Sequence, residues 1–127
     1  MKALLVLTVL AAVVAGRGQA QDPRLRTRLP LATAEAVERI VDSVRAEGLP
    51  VEPLVQKALE GRTKGASSDR IIAAVRALGA ALAEARRGLG PRSTIDELQA
   101  GVLWLRAGGS LPALERLRGA ASGRSLA

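Results

Sequence analysis

The sequence predicts an all-α protein: a small bundle of four to five short helices arranged as antiparallel helical hairpins, after an N-terminal signal peptide. Apolar residues make up 48% of the chain, mostly Ala, Leu and Val, and Ala and Leu favour helix. Aromatic residues, which suit strands, reach only 1%, and Phe and Tyr are absent. The apolar residues recur at helical spacing between Gly and Pro. With 127 residues, the chain is long enough for one folded domain.

The N-terminus has the three-part plan of a secretory signal peptide. Lys2 supplies a positive charge, the apolar run ALLVLTVLAAVVA follows at 3–15, and small residues precede a cut after Ala20. An uncleaved anchor helix is the alternative, but a span needs about 20 apolar residues and Arg17 interrupts this run earlier. The chain is therefore expected to be exported to the periplasm or outside the cell. Residues 1–20 are then removed, and no transmembrane span remains.

Residues 21–32 are expected to form a basic flexible arm, because QDPRLRTRLP has two prolines and no helical period. Arg24, Arg26 and Arg28 carry much of the formal net charge of +5 that remains once residues 1–20 are removed from the chain of +7. Such an arm would suit anionic envelope material, namely phospholipid headgroups or polymers. The alternative is a solvated tail. No nucleic acid is expected as a partner, since stacking aromatic residues are nearly absent.

The helical domain is expected at 33–119, with a flexible tail at 120–127. The first helix is predicted at 34–47, with Thr33 as its N-cap. Gly48 in the left-handed conformation then ends it. Its buried stripe repeats at i, i+3, i+4 and i+7 and consists of Val37, Ile40, Val41 and Val44. The second helix begins at residue 51 or 52, and Gly61 closes it.

The later helices are predicted from caps and apolar stripes. The third begins after Ser67 or Ser68 and continues through Gly79 to Arg87, since its stripe keeps one phase. The fourth opens with the capping box T-x-x-E at 94–97 and ends at the glycine pair 108–109. A last short helix is predicted at 111–118.

Two segments of the chain resemble each other, RIVDSVRAEG at 39–48 and RIIAAVRALG at 70–79. They indicate either stacked helix–turn–helix units with a period near 30 residues or a shared composition of amphipathic helices. A closed bundle and an open stack of hairpins both remain compatible with this pattern, and both contain paired antiparallel helices.

The composition excludes several classes of chemistry. Without Cys, disulfides and thiolate zinc sites are impossible, and without His the commonest metal ligand and general base are missing. The serines lie where helix N-caps are needed, and the acidic residues suit helix starts and exposed faces. We therefore expect no cofactor, no metal site and no enzymatic activity.

Two further features are candidate binding elements. The loop GRTKGASS carries Arg62 and Lys64, which with backbone N–H groups at a helix start would hold an anion such as phosphate or sulfate. The alternative is an ordinary solvated loop. Trp104 falls beside the inner stripe of the fourth helix, where it would either anchor a partner or cover one edge of the core.

The segment KALEGRTKG at 57–65, followed by RIIAAVR at 70–76, is similar to small exported bacterial α-helical proteins of unknown function. The resemblance implies an address outside the cytoplasm and no activity. The predicted function is a non-catalytic protein that works in the cell envelope by contact with an unknown protein partner or by self-association. The alternative is a binder of anionic phospholipid or polymer through the arm and the loop.

Overall fold

The computed structural model describes residues 21–124, which form six α-helices and contain no strand. The helices are α1 (Pro23–Arg28), α2 (Leu31–Ala46), α3 (Glu52–Thr63), α4 (Ser68–Leu89), α5 (Ile95–Arg106) and α6 (Leu111–Arg124). The predicted all-α bundle is confirmed, with six helices in this part of the chain where four to five were expected. The signal peptide predicted at 1–20 lies outside the described residues.

The additional helix, α1, lies in the segment expected to be a flexible arm. Asp22 caps it by accepting a hydrogen bond from the backbone N–H of Arg24 over 3.0 Å. Leu25 and Leu29 are buried in the core of the bundle. The prediction of a flexible arm at 21–32 is therefore wrong. A helix of six residues is too short to show periodicity, yet it brings two leucines into the core.

Helix α2 begins at Leu31, earlier than predicted. Its N-cap is Pro30, which offers no side-chain hydrogen bond. Thr33, the predicted cap, lies inside the helix, is buried, and donates a hydrogen bond to the hydroxyl of Ser68 over 2.7 Å. Thr33 therefore links two helices. Gly48 follows the helix with a φ of 72°, as the sequence predicted.

The boundary predicted between the second and third helices is displaced. Gly61 lies inside α3, where a Cβ would come within 2.8 Å of Ile71 Cγ1, so the glycine allows α4 to approach closely. The turn instead contains Gly65, with a φ of 73°. Helix α4 passes through Gly79 as predicted and continues to Leu89.

Helix α4 is the centre of the bundle, because α2, α3, α5 and α6 all pack against it. Helix α2 runs parallel to α4. Thr33 of α2 contacts Ser68 of α4, and Val44 contacts Gly79. The second contact lies the same number of residues after the first on both helices, which defines the parallel register. Helices α3 and α5, its neighbours in sequence, form hairpins with α4 through short connections. Helix α1 packs on α2 and α3.

The core between these helices is aliphatic. The stripes predicted for the first and third helices, now α2 and α4, are buried except for Ile40 and Leu78, which are partly buried. Each large side chain contributes about 1.5–3 kcal/mol through burial. The largest fully buried side chains are Leu25, Val37, Leu54, Val55, Val75, Leu82 and Leu98.

The two similar segments are not equivalent in the structure. Gly48 follows the end of α2, whereas the corresponding Gly79 lies inside α4. Helix α6 extends to Arg124, so it continues beyond the predicted end at residue 118 into the segment expected to be a tail. Among residues 21–124, no helix has the length and apolar character needed to cross a membrane.

Candidate functional site

Two of the three arginines of the predicted arm hold α1 to the bundle through ion pairs. Arg24 Nη2 lies 2.6 Å from a carboxylate oxygen of Asp22 and 2.8 Å from one of Glu52 on α3. Arg26 makes a bidentate pair with Glu38 on α2, with an Nε–Oε1 distance of 3.0 Å and an Nη2–Oε2 distance of 2.9 Å. These guanidinium groups are therefore engaged within the protein.

The ion pairs also change the proton affinities of their members. The side-chain hydrogen bond from Arg24 lowers the pKa of Asp22 and that of Glu52, and Gln56 adds to the effect on Glu52. The hydrogen bond with Glu38 raises the pKa of Arg26. Because Glu38 is only 7% exposed, losing Arg26 would leave a buried carboxylate without its partner.

The structure brings the third arginine to the predicted binding loop. Arg28 Nη2 donates a hydrogen bond to Thr63 Oγ1 over 3.0 Å, and Thr63 stands between Arg62 and Lys64 in the chain. Lys64 is paired with Glu60, whose pKa falls mainly because of this side-chain hydrogen bond. Where α1 and α3 end, the chain therefore carries three basic residues, Arg28, Arg62 and Lys64, which we call the basic group.

The two serines of the GRTKGASS segment, Ser67 and Ser68, form hydrogen bonds within the fold. Ser67 Oγ accepts a hydrogen bond from the backbone N–H of Arg70 and caps α4, as the sequence predicted. Ser68 Oγ accepts from Thr33. Helix α3 extends to Thr63, so the loop is shorter than expected. These hydroxyl groups therefore serve the fold.

Trp104 covers the turn between α5 and α6. Its Nε1–H donates a hydrogen bond to the carbonyl oxygen of Ser110 over 3.3 Å, and its ring lies where a Cβ at Gly109 would be. The residue nevertheless remains 44% exposed. The indole thus covers one edge of the protein and also presents apolar area to solvent.

Exposed apolar residues lie on both sides of α5. On one side, an open groove of about 280 Å³ between α4, α5 and α6 is lined by Trp104 and Leu117, with Glu97 the one charged residue of its lining. On the other side, a groove of about 290 Å³ between α3, α4 and α5 includes Leu103, together with Lys57, Glu60 and Arg106. We call Leu103, Trp104 and Leu117 the α5 surface. Leu103 is 69% and Leu117 57% exposed.

Sequence analysis missed two members of this surface. Leu103 follows Val102 directly and is therefore about 100° away from it around the helix, outside the inward stripe. Its position outside the stripe could have identified Leu103 as an exposed apolar residue. Leu117 lies on α6 three residues after Leu114, but only Leu114 is buried.

Within the described residues, no group of acidic side chains is arranged to hold a metal ion. Comparison with known protein families, with curated proteins and with solved structures found no match to this chain. What the protein does is therefore inferred from its own surface.

Proposed function

We propose that this protein is a non-catalytic, exported helical protein that works in the cell envelope by contact with another protein, and that the α5 surface makes the contact. The supporting observation is the exposure of Leu103, Trp104 and Leu117 beside two open grooves. Exposed apolar residues beside open grooves are typical of interaction sites, and Trp is enriched among residues that dominate binding energy.

The surface favours a partner that presents apolar side chains on a helix. Grooves between helices accept such side chains at helical spacing. The charged residues at the grooves have both signs, with Glu60 and Glu97 against Lys57 and Arg106, so apolar contact supplies the affinity and the rim supplies orientation.

The test is a crosslinking pull-down from envelope extracts at low and high salt. Leu103→Ser should abolish recovery of the partner. The matched control is Leu31→Ser on α2, because Leu31 is 61% exposed and lies away from α5. Recovery with wild type and Leu31→Ser at both salt concentrations supports the proposal, since apolar contacts are little affected by screening. Equal recovery with Leu103→Ser contradicts it.

Self-association is the form of this proposal in which the partner is a second copy. Sedimentation equilibrium of the purified protein distinguishes the two. A dimer that Leu103→Ser converts to a monomer would identify the partner as the same chain. A monomer at all concentrations would leave a different protein as the partner.

Export is the second part of the proposal. The Lys2 start, the apolar run at 3–15 and the small residues before Gln21 support it. N-terminal sequencing of the protein recovered from a periplasmic or culture fraction should begin at Gln21. Recovery of a chain that begins at Met1 from the cytoplasm would contradict it.

A second candidate function, binding of anionic phospholipid or polymer, is supported by one observation. Arg28 donates a hydrogen bond to Thr63, which stands between Arg62 and Lys64 in the chain. Arg24 and Arg26 do not add to this group, because carboxylates pair with them. Glu60 likewise pairs with Lys64, so Arg28 and Arg62 carry this candidate function. Sedimentation with vesicles of anionic lipid tests the candidate: Arg28→Gln/Arg62→Gln should reduce binding, and salt should abolish it.

A further inference from the structure

The largest groove described here, about 380 Å³, lies between α2 and α4 and shares no residue with the α5 surface. Its apolar walls come from Ile40 and Val44 of α2 and from small residues of α4. Its volume lies within the range of small-molecule sites. Neither the α5 surface nor the basic group at the end of α3 accounts for it.

Two arginines lie at one level of this groove, one on each wall. In the parallel register set by Thr33 with Ser68 and Val44 with Gly79, Arg76 of α4 lies level with a position two residues after Arg39 of α2. That offset is roughly 3 Å along the helix axis. The two side chains therefore face the same segment of the groove.

Within residues 21–124, both arginines lack a protein partner. Neither Arg39 nor Arg76 forms an ion pair or hydrogen bond with any described residue, whereas the neighbouring Arg45 is held by Asp42 over 2.9 Å. Both are exposed. Two such guanidinium groups on facing walls of one groove create a positive potential that attracts an anion.

The groove changes character along its length. From Arg76 to Ala83 it extends roughly 10 Å along α4, and its walls over this distance are mainly Val44, Gly79, Ala80 and Ala83. Glu47 lies at the end of the groove away from the arginines, and Ser43 lies between Arg39 and Glu47 along α2. The arrangement is cationic at one end and apolar along the middle, and the acid at the far end disfavours a second anionic group there.

We propose that the α2–α4 groove binds a single-chain amphiphile with one anionic head group. Arg39 and Arg76 hold the head group, and the chain lies along Val44, Ala80 and Ala83. A carboxylate and a phosphate monoester both satisfy this chemistry, since a planar guanidinium donates two hydrogen bonds to either. This inference is independent of the contact function proposed for α5.

The experiment is a titration of the purified protein with decanoate below its micelle-forming concentration, followed by calorimetry and by amide chemical shifts. Decyl phosphate is the second probe. Comparing its affinity with that of decanoate shows whether the groove prefers a phosphate or a carboxylate head group. Acetate supplies the head group alone, and decyltrimethylammonium supplies the chain with the opposite charge. We expect shifts confined to α2 and the middle of α4 with the two anionic amphiphiles, and at least tenfold weaker binding of both controls.

Two variants decide between this site and unspecific adsorption. Arg39→Gln/Arg76→Gln should weaken decanoate binding at least tenfold, while Arg70→Gln/Arg92→Gln, which alters two exposed arginines outside the groove, should not change it. Ala83→Leu should also weaken binding by filling the path of the chain. Unchanged binding in the first variant, equal binding of the cationic amphiphile, or shifts on α5 instead of α2 would overturn the proposal.

Discussion

The side chain of Val44 on α2 lies against Gly79 on α4, so closely that a Cβ at position 79 would be 3.0 Å from Val44 Cγ2. Glycine inside a helix is unfavourable by about 1 kcal/mol relative to Ala. Here it allows two parallel helices to approach at the middle of α4. Packing between helices therefore explains a residue that local propensity opposes.

This contact predicts the effect of a larger residue at position 79. Gly79→Val should lower the free energy of unfolding by about 1–3 kcal/mol, because overpacking forces α2 and α4 apart. Gly119→Val on α6 is the matched control, since no atom lies within 4 Å of a Cβ there. Urea unfolding followed by circular dichroism measures both. Equal stability of the two variants would show that α2 and α4 can separate at no cost.

Truncation of two leucines of α5 to Ala should change the free energy of unfolding by very different amounts. Leu98 is fully buried, so Leu98→Ala should lower the free energy of unfolding by about 2–5 kcal/mol. Leu103 is exposed, so Leu103→Ala should change it by less than about 0.5 kcal/mol. Thermal or urea unfolding tests the pair. A large loss in Leu103→Ala would mean that this side chain supports the fold and is not available for a partner.

The ion pairs of Arg24 predict loss of stability in acid. The pKa values of Asp22 and Glu52 are lower in the folded protein than in the unfolded chain. Their contribution is therefore complete above their unfolded pKa values of about 4 and disappears as pH falls through the folded values. The urea midpoint should decrease between pH 6 and pH 2, and less so in Arg24→Gln. Arg92→Gln, outside these pairs, should retain the full decrease.

The burial of Leu25 predicts that α1 unfolds only with the rest of the bundle. Trypsin should not cut after Arg24, Arg26 or Arg28 in the folded protein, because proteolysis requires local opening. Leu25→Ala should remove about 2–5 kcal/mol and expose these bonds. Leu31→Ala, at an exposed position, should leave them protected. Rapid cleavage of the wild-type protein would instead support the flexible arm predicted from the sequence.

Sequence reasoning succeeded where a helix is long enough to repeat its pattern. The stripe of α4 from Ile71 to Ala85 keeps one phase over several turns. The N-caps Ser67 of α4 and Thr94 of α5 follow from local hydrogen bonding. It failed at α1, where two leucines in a short segment with two prolines resemble a linker.

The role of the other misread residues depends on helices distant in sequence. Gly61 looks like a helix terminator until Ile71 is placed against it. Thr33 looks like a cap until Ser68 is found beside it. The exposure of Leu103 and Leu117 likewise depends on which faces α4 covers, and periodicity within one helix does not specify that.

Trp104 is the only aromatic side chain in the chain, and it lies over Gly109 at the α5–α6 turn. The intrinsic fluorescence of the whole protein therefore originates from one place. Emission reports the polarity around this turn and does not report changes at α1, α2 or the groove beside Arg39. If emission changes at a lower denaturant concentration than helicity does, α5 and α6 open before the N-terminal helices, and the native protein carries its own label for that event.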